Sequence, residues 1–151
     1  MNNTKLSIAL LACLLLISVS SYEIDEGVLV LNSESFSFAI RQYPNLLVEF
    51  YTPGCEECEK LVPEYRKAAQ KLIKKGSEIK FAKVDAEAEK ELAAQYGVQE
   101  YPALKWFCEE EVTDYDGPKE SAGLYDWVRS HIKPKMREFV DSDEIQKVLD
   151  Q

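Results

Sequence analysis

Apolar positions change period several times along this chain, and each change marks an element. Residues 28–31 (Val-Leu-Val-Leu) are a short apolar run that predicts a strand. Asn32 or Ser33 can cap a helix that runs to Gln42. Tyr43-Pro44-Asn45 reads as a turn. Residues 46–51 are nearly all apolar or aromatic, which predicts a strand buried on both faces. Thr52-Pro53-Gly54 breaks that strand, and a long helix follows over 55–75. Its apolar stripe is Leu61, Val62, Tyr65, Ala68, Ala69, Leu72 and Ile73. Pro63 inside it removes a backbone hydrogen bond and predicts a kink, and Gly76 fits the helix end.

Residues 79–84 alternate as a strand, and 88–96 form a helix that Gly97 stops. Residues 103–107 and 112–115 make a strand pair around the acidic turn 109–111. Gly117-Pro118 is a further turn, and 121–132 form a last helix carrying Leu124, Trp127, Val128 and Ile132. The order is β-α-β-α-β-α-β-β-α. Helices between strands demand crossover connections, so part of the sheet is parallel, while a short turn makes the final pair antiparallel. The predicted class is α/β, with a mixed central sheet flanked by helices on both faces.

Composition narrows the reading. The chain has 151 residues, 46% hydrophobic and 30% charged, as an ordinary globular domain does. Its formal charge of −9 argues against nucleic acid, whose phosphates need a basic face. Residues 1–21 read as a cleaved secretory signal. Lys5 supplies the positive flank, 6–19 are almost wholly apolar, and Ser18, Ser20 and Ser21 are small enough for cleavage. That run of about 14 residues falls short of the ~20 that a spanning helix needs. No later segment is long and apolar enough to span, so no membrane association is expected after cleavage. The expected organisation is a signal over 1–21, one domain over 22–132 and a helical tail over 133–151, with Ser142 or Asp143 as a cap signal.

Of the 4 cysteines, Cys13 leaves with the signal, and Cys55, Cys58 and Cys108 remain. A disulfide-held exported domain usually carries more, so the close pair points to reactivity. Cys55-Glu56-Glu57-Cys58 sits where a buried strand turns into a helix. Residues three apart at a helix start share a face, within reach of a disulfide. The first turn offers unpaired N–H groups and the positive end of the helix dipole, and both favour a thiolate at Cys55. Cys55 is then the attacking thiol and Cys58 the resolving one. Structural zinc needs four ligands, and only His131 and Cys108 are left to help, neither in a ligand-spaced pair. A purely structural disulfide closing so small a loop would add little rigidity. Cys108 is read as a half-buried, unpaired thiol, with a mixed disulfide to a partner as the sharper possibility.

The segment from Val48 to Tyr65, with Tyr51-Thr52-Pro53-Gly54-Cys55-Glu56-Glu57-Cys58 at its centre, resembles the active-site segment of protein disulfide isomerase catalytic domains. Phe81-Ala82-Lys83-Val84-Asp85-Ala86 is similar to their next strand, and the run from Tyr96 to Phe107 to the segment bearing their cis-proline. The likeness covers roughly 25–132 and implies a thioredoxin fold. It also implies a thiol–disulfide oxidoreductase acting on secretory-pathway clients through a Cys55/Cys58 cycle. By position it implies a cis bond before Pro102, with Gly54, Tyr101 and Pro102 on the substrate side. Glu49 matches the family's buried carboxylate and Lys83 its partner, a pair that would accept and return the proton of Cys58. Lys119 stands where the family commonly has an arginine linked to proton movement. It keeps the charge and loses the planar fork.

The chain departs from the family at Gly54, Glu56 and Glu57, where a Trp and a Gly-His are usual. At about 6 Å in water-like surroundings each carboxylate repels a thiolate by roughly 0.7 kcal/mol, about half a pKa unit. A higher Cys55 pKa and a less oxidising couple are expected. No bound cofactor is required, because the two sulfurs carry the electrons. The implied partners are cysteine-containing client polypeptides, with glutathione or another oxidoreductase to recycle the pair. The implied location is the endoplasmic reticulum lumen or the exterior. Val148-Leu149-Asp150-Gln151 is not the Lys/His-Asp-Glu-Leu signal, so lumenal residence is expected to need a partner. The competing reading is a client-binding or adaptor module with weak redox activity.

Overall fold

The structure is a computed structural model that describes residues 22–109 and 111–133. The expected leader over 1–21 and the tail beyond Lys133 lie outside the described residues. Among the described residues there are six strands and four helices: β1 Glu23–Asp25, β2 Val28–Leu31, α1 Ser33–Gln42, β3 Asn45–Tyr51, α2 Glu56–Lys74, β4 Lys80–Asp85, α3 Lys90–Gln95, β5 Ala103–Cys108, β6 Glu111–Asp114 and α4 Ser121–Ser130. They build one sheet in the order β1-β2-β4-β3-β5-β6. β2 and β3 flank β4 in parallel, whereas β5 and β6 run antiparallel. The mixed sheet expected from the pattern is the observed one.

Alternation along the strands feeds two cores. Leu47, Phe81, Leu104 and Trp106 face α2 and α4, where Leu61, Tyr65, Ala68, Leu72, Leu124 and Val128 close the layer. Leu46, Val48, Phe50, Ala82, Val84 and Phe107 face the other way, onto Phe36, Ala39, Leu92 and Ala93 of α1 and α3. The Tyr65 hydroxyl lies 2.8 Å from the Leu47 carbonyl and 3.0 Å from that of Ala82, so α2 is pinned across β3 and β4. Glu64 of α2 accepts the Ser121 N–H at 2.8 Å and so caps α4 from outside its own sequence.

Element ends moved for local reasons. Asn32 caps α1 and, with Ser35, closes a capping box. The Asp85 carboxylate takes the N–H groups of Glu87 and Ala88 in an Asx turn, which delays α3 to Lys90. α2 runs unbroken past Pro63. β1 is absent from the sequence reading. Glu26 and Gly27 both have positive φ, 48° and 93°, the signature of a two-residue type I′ hairpin that pairs Asp25 with Val28. Glu-Gly is a weak form of the Asn-Gly signal, and a three-residue strand shows little periodicity.

Gly27 carries two constraints, because a Cβ there would also lie 2.9 Å from the Ile73 side chain. Gly27→Ala is expected to lower the urea midpoint with an unchanged slope, a loss of about 1–2 kcal/mol. An unaltered midpoint would mean that the hairpin does not dock on α2 as described.

Candidate active site

The site forms where β3 ends. Cys55 N–H donates to the Thr52 carbonyl at 3.3 Å, with Pro53 second and Gly54 third at φ 75°. That is a type II turn, whose third place requires the left-handed conformation glycine adopts freely. The chain leaves it directly into α2 with Cys55 as the N-cap residue. The Cys55 Sγ accepts the Cys58 N–H at 3.2 Å, one of the four N–H groups that a helix start leaves without partners. Cys55 and Cys58 form a disulfide with their Cα atoms 5.2 Å apart. Cys55 is half-buried and Cys58 is buried, so of the two it is Cys55 that keeps access to solvent.

Directly inside lies Glu49. Its place in β3 alternates with Val48 and Phe50, so it faces the α2 side of the sheet, where it is 3% exposed. Burial drives its carboxyl upward to about 7, against the lowering charges of Lys83 and Lys119. One of its oxygens, Oε1, has no hydrogen-bond partner. Glu49, Gly54, Cys58 and Lys83 share a cavity of about 190 Å³.

The expected Glu49–Lys83 ion pair is not the one formed. Lys83 is the register partner of Glu49 on β4, but its Nζ lies 2.5 Å from the Asp25 Oδ2. The same oxygen accepts Arg66 Nη2 at 2.7 Å. Asp25 is less buried and doubly paired, so it carries its charge at lower cost than Glu49. Those two partners, Lys83 first, hold its carboxyl below the usual range. Asp25 and Arg66 were missed because only the hairpin brings β1 to this face.

The remaining predicted residues fall on the same end of the sheet. Phe50 pairs with Ala103, so the cis Tyr101–Pro102 bond stands just before the start of β5, beside the exit of β3. Pro102 and Lys119, with Tyr115, line a groove of about 640 Å³. Tyr101 is exposed and lines neither this groove nor the Glu49 cavity. A Cβ on Gly54 would meet no atom within 4 Å, so the surface before Cys55 is open. Cys108 is not half-buried as read but 5% exposed and unbonded, on the α2 face with Leu104 and Trp106. Its thiol faces Asn45 Oδ1 at 3.5 Å, out of reach of a partner's sulfur.

Lys60 alters the expected repulsion at Cys55. Its Nζ lies 3.0 Å from Glu56 and 2.8 Å from Glu57, a contact one helical turn long that sequence spacing could have disclosed. Lys119 adds a further lowering charge at Glu57.

The Thioredoxin family model matches residues 27–130. Protein disulfide-isomerase A2 of Pongo abelii is 41% identical over 129 residues, which take in 83% of this chain and 25% of that protein. Protein disulfide-isomerase of Drosophila melanogaster is 41% identical over 127 residues, 84% of this chain and 26% of that one. The solution structure of the first thioredoxin domain of mouse Protein disulfide-isomerase A4 superposes with a TM-score of 0.71 at 31% identity, covering 78% of this chain and 84% of that one. The chain spans about a quarter of the length of the curated relatives it matches. The mixed sheet is thus a thioredoxin fold.

Two measurements probe the site. Lys60→Gln should raise the Cys55 pKa of the reduced protein by about half a unit, read from the pH dependence of alkylation. An unchanged or lower value would remove Lys60 from the electrostatics of the thiol. For Glu49 the sign follows from a folded pKa above the ordinary 4.5. Between about pH 4.5 and 7 the folded state holds more protons than the unfolded one, so stability falls as pH rises. Glu49→Gln lacks that slope. In urea denaturation of the oxidised proteins, wild type should lose up to ~3 kcal/mol relative to the variant over this range. Parallel pH profiles would contradict the burial argument.

Proposed function

Because the chain belongs to the thioredoxin family, we propose that it is a protein disulfide isomerase-like thiol–disulfide oxidoreductase acting on cysteine-containing clients. The carrying observation is the pair itself: a half-buried Cys55 at a helix N-cap, bonded through its sulfur to a buried Cys58. In the reduced protein the Cys55 thiolate attacks one sulfur of a client disulfide. A bond forms between Cys55 Sγ and that sulfur, the client S–S bond breaks, and the departing client thiolate takes up a proton. Cys58 then loses its proton and attacks Cys55 Sγ. The first client sulfur leaves, and the Cys55–Cys58 disulfide closes. Two electrons pass from the dithiol to the client, and the reverse sequence oxidises a client dithiol.

The role proposed for Glu49 is to take the Cys58 proton in this second step and to return it in the reverse direction. Its support is the shared cavity, roomy enough for a bridging water, and a carboxyl near pH 7 that can be charged or neutral. Lys83 and Lys119 are proposed to limit how far that carboxyl is raised. The Pro102 loop and the open Gly54 surface are proposed to receive the client's extended backbone. Glutathione or a second oxidoreductase would recycle the pair. Residence in the endoplasmic reticulum lumen or secretion is proposed on the strength of the apolar, Lys-flanked run at 5–19.

Insulin reduction and refolding of a scrambled substrate test this reading. Cys55→Ser should abolish both activities, and Cys58→Ser should trap a mixed disulfide visible on a non-reducing gel. Equal activity of wild type and Cys55→Ser would leave a binding module in place of an enzyme.

A further inference from the structure

Two carboxylates compete here for one ammonium. Asp25 and Glu49 both lie against Lys83, and together with Tyr65 and Arg66 they border a small recess of about 10 Å³. Asp25 holds Lys83 Nζ at 2.5 Å and Arg66 Nη2 at 2.7 Å on a single oxygen. Glu49, on the adjacent strand and the same face, keeps an oxygen without a partner. The hairpin that carries Asp25 is itself fastened to α2. Arg66 Nε lies 3.5 Å from Glu26, and the Gln70 amide donates to the Glu26 carbonyl at 3.3 Å. The position of Asp25 is therefore set by α2, the helix that bears Cys58.

We propose that Asp25 is a positioning residue for the Cys55–Cys58 exchange: by holding the Lys83 ammonium on its own carboxylate, it denies Glu49 a direct ion pair and leaves that group free to carry the Cys58 proton. This inference rests on the oxidoreductase reading above and deepens it. Were Lys83 to swing to Glu49, the paired carboxylate would be a weaker base, slower to draw a proton from a buried thiol. The groups that face Glu49 are Asp25 on β1, Cys58, Glu59, Tyr65 and Arg66 on α2, Tyr51 on β3, Lys83 on β4 and Lys119 ahead of α4. Asp25→Asn removes one negative charge and releases one ammonium. Both changes push the Glu49 titration in the acid direction. The raised Glu49 and lowered Asp25 titrations fit the observed sharing of Lys83.

The experiment is a double-mutant cycle on the full chain, read by resolution of a Cys55 mixed disulfide with a model peptide over pH 5–9. Asp25→Asn should move the Glu49-dependent inflection acidward by about one unit and, the weaker base being offset in part by its larger ionised fraction, slow resolution at pH 7 about two- to fivefold. Asp25→Glu should restore most of the wild-type profile. Adding Lys83→Met to Asp25→Asn should reverse most of the shift, because the freed ammonium is then gone. A wild-type profile in Asp25→Asn overturns the inference, as does a shift that Lys83→Met leaves intact. Should Asp25→Asn fail to fold, NMR of the unsubstituted protein decides. The Lys83 side-chain signals should follow the Asp25 titration below pH 4, and a dominant inflection near 7 overturns the proposal. Wild-type protein without insulin-reducing activity would defeat the oxidoreductase reading instead, and the NMR result would stand apart from it.

Discussion

β3 is paired on both edges and covered on both faces, so each of its side chains must enter one core or the other. Leu46, Val48 and Phe50 satisfy that constraint on the α1 and α3 side, and Leu47 on the α2 side. Glu49 meets it with a carboxyl group in a place the pleat reserves for an apolar one. An ionised carboxylate there is poorly solvated, and a neutral one is tolerated. Two residues beyond, the strand has to turn through Pro53-Gly54 into α2. The dithiol thus stands at the rim of the pocket whose floor is Glu49. The Cys58 sulfur and the buried carboxyl are brought together by the geometry of a single strand and the helix that follows it.

The charges around this axis are distributed by exposure. At the rim, Glu56 and Glu57 stay in water and share Lys60, so the acidic replacement of the usual active-site dipeptide is partly neutralised within its own helical turn. In the interior, Lys83 goes to the carboxylate that is cheaper to ionise, Asp25, which Arg66 also supports. Lys119 reaches both levels through its field, lowering Glu49 inside and Glu57 outside. The result is a cysteine pair whose outer surface is solvated and only partly neutralised, above a carboxyl that can change charge near neutrality.

Much of this was open to inspection along the chain. The switch from an apolar run to a 3.6 period at Cys55 places the dithiol on a helix start, and the alternation of Val48, Glu49 and Phe50 requires a polar side chain in a covered strand. Tyr96 to Phe107, by its likeness to a known segment, located the cis bond at Pro102. Cys108 was misjudged as half-buried because the end of a strand is ambiguous in sequence. Burial there depends on the core that the helices α2 and α4 close over the sheet, and α4 is capped by Glu64 from a distant helix.

Periodicity, turn chemistry and the Cys-x-x-Cys spacing are local properties, so the sequence by itself determined the α/β class, the strand-to-helix step and the reactive pair. Ion-pair partners are chosen by a competition among groups far apart in the chain. Lys83 pairs with a residue 58 positions away in place of its neighbour across the ladder, and only the folded arrangement of burial and distance decides that contest. Desolvation acts on three-dimensional surroundings, which is why the tertiary structure alone could set Glu49 near neutrality and bring Asp25 into its environment.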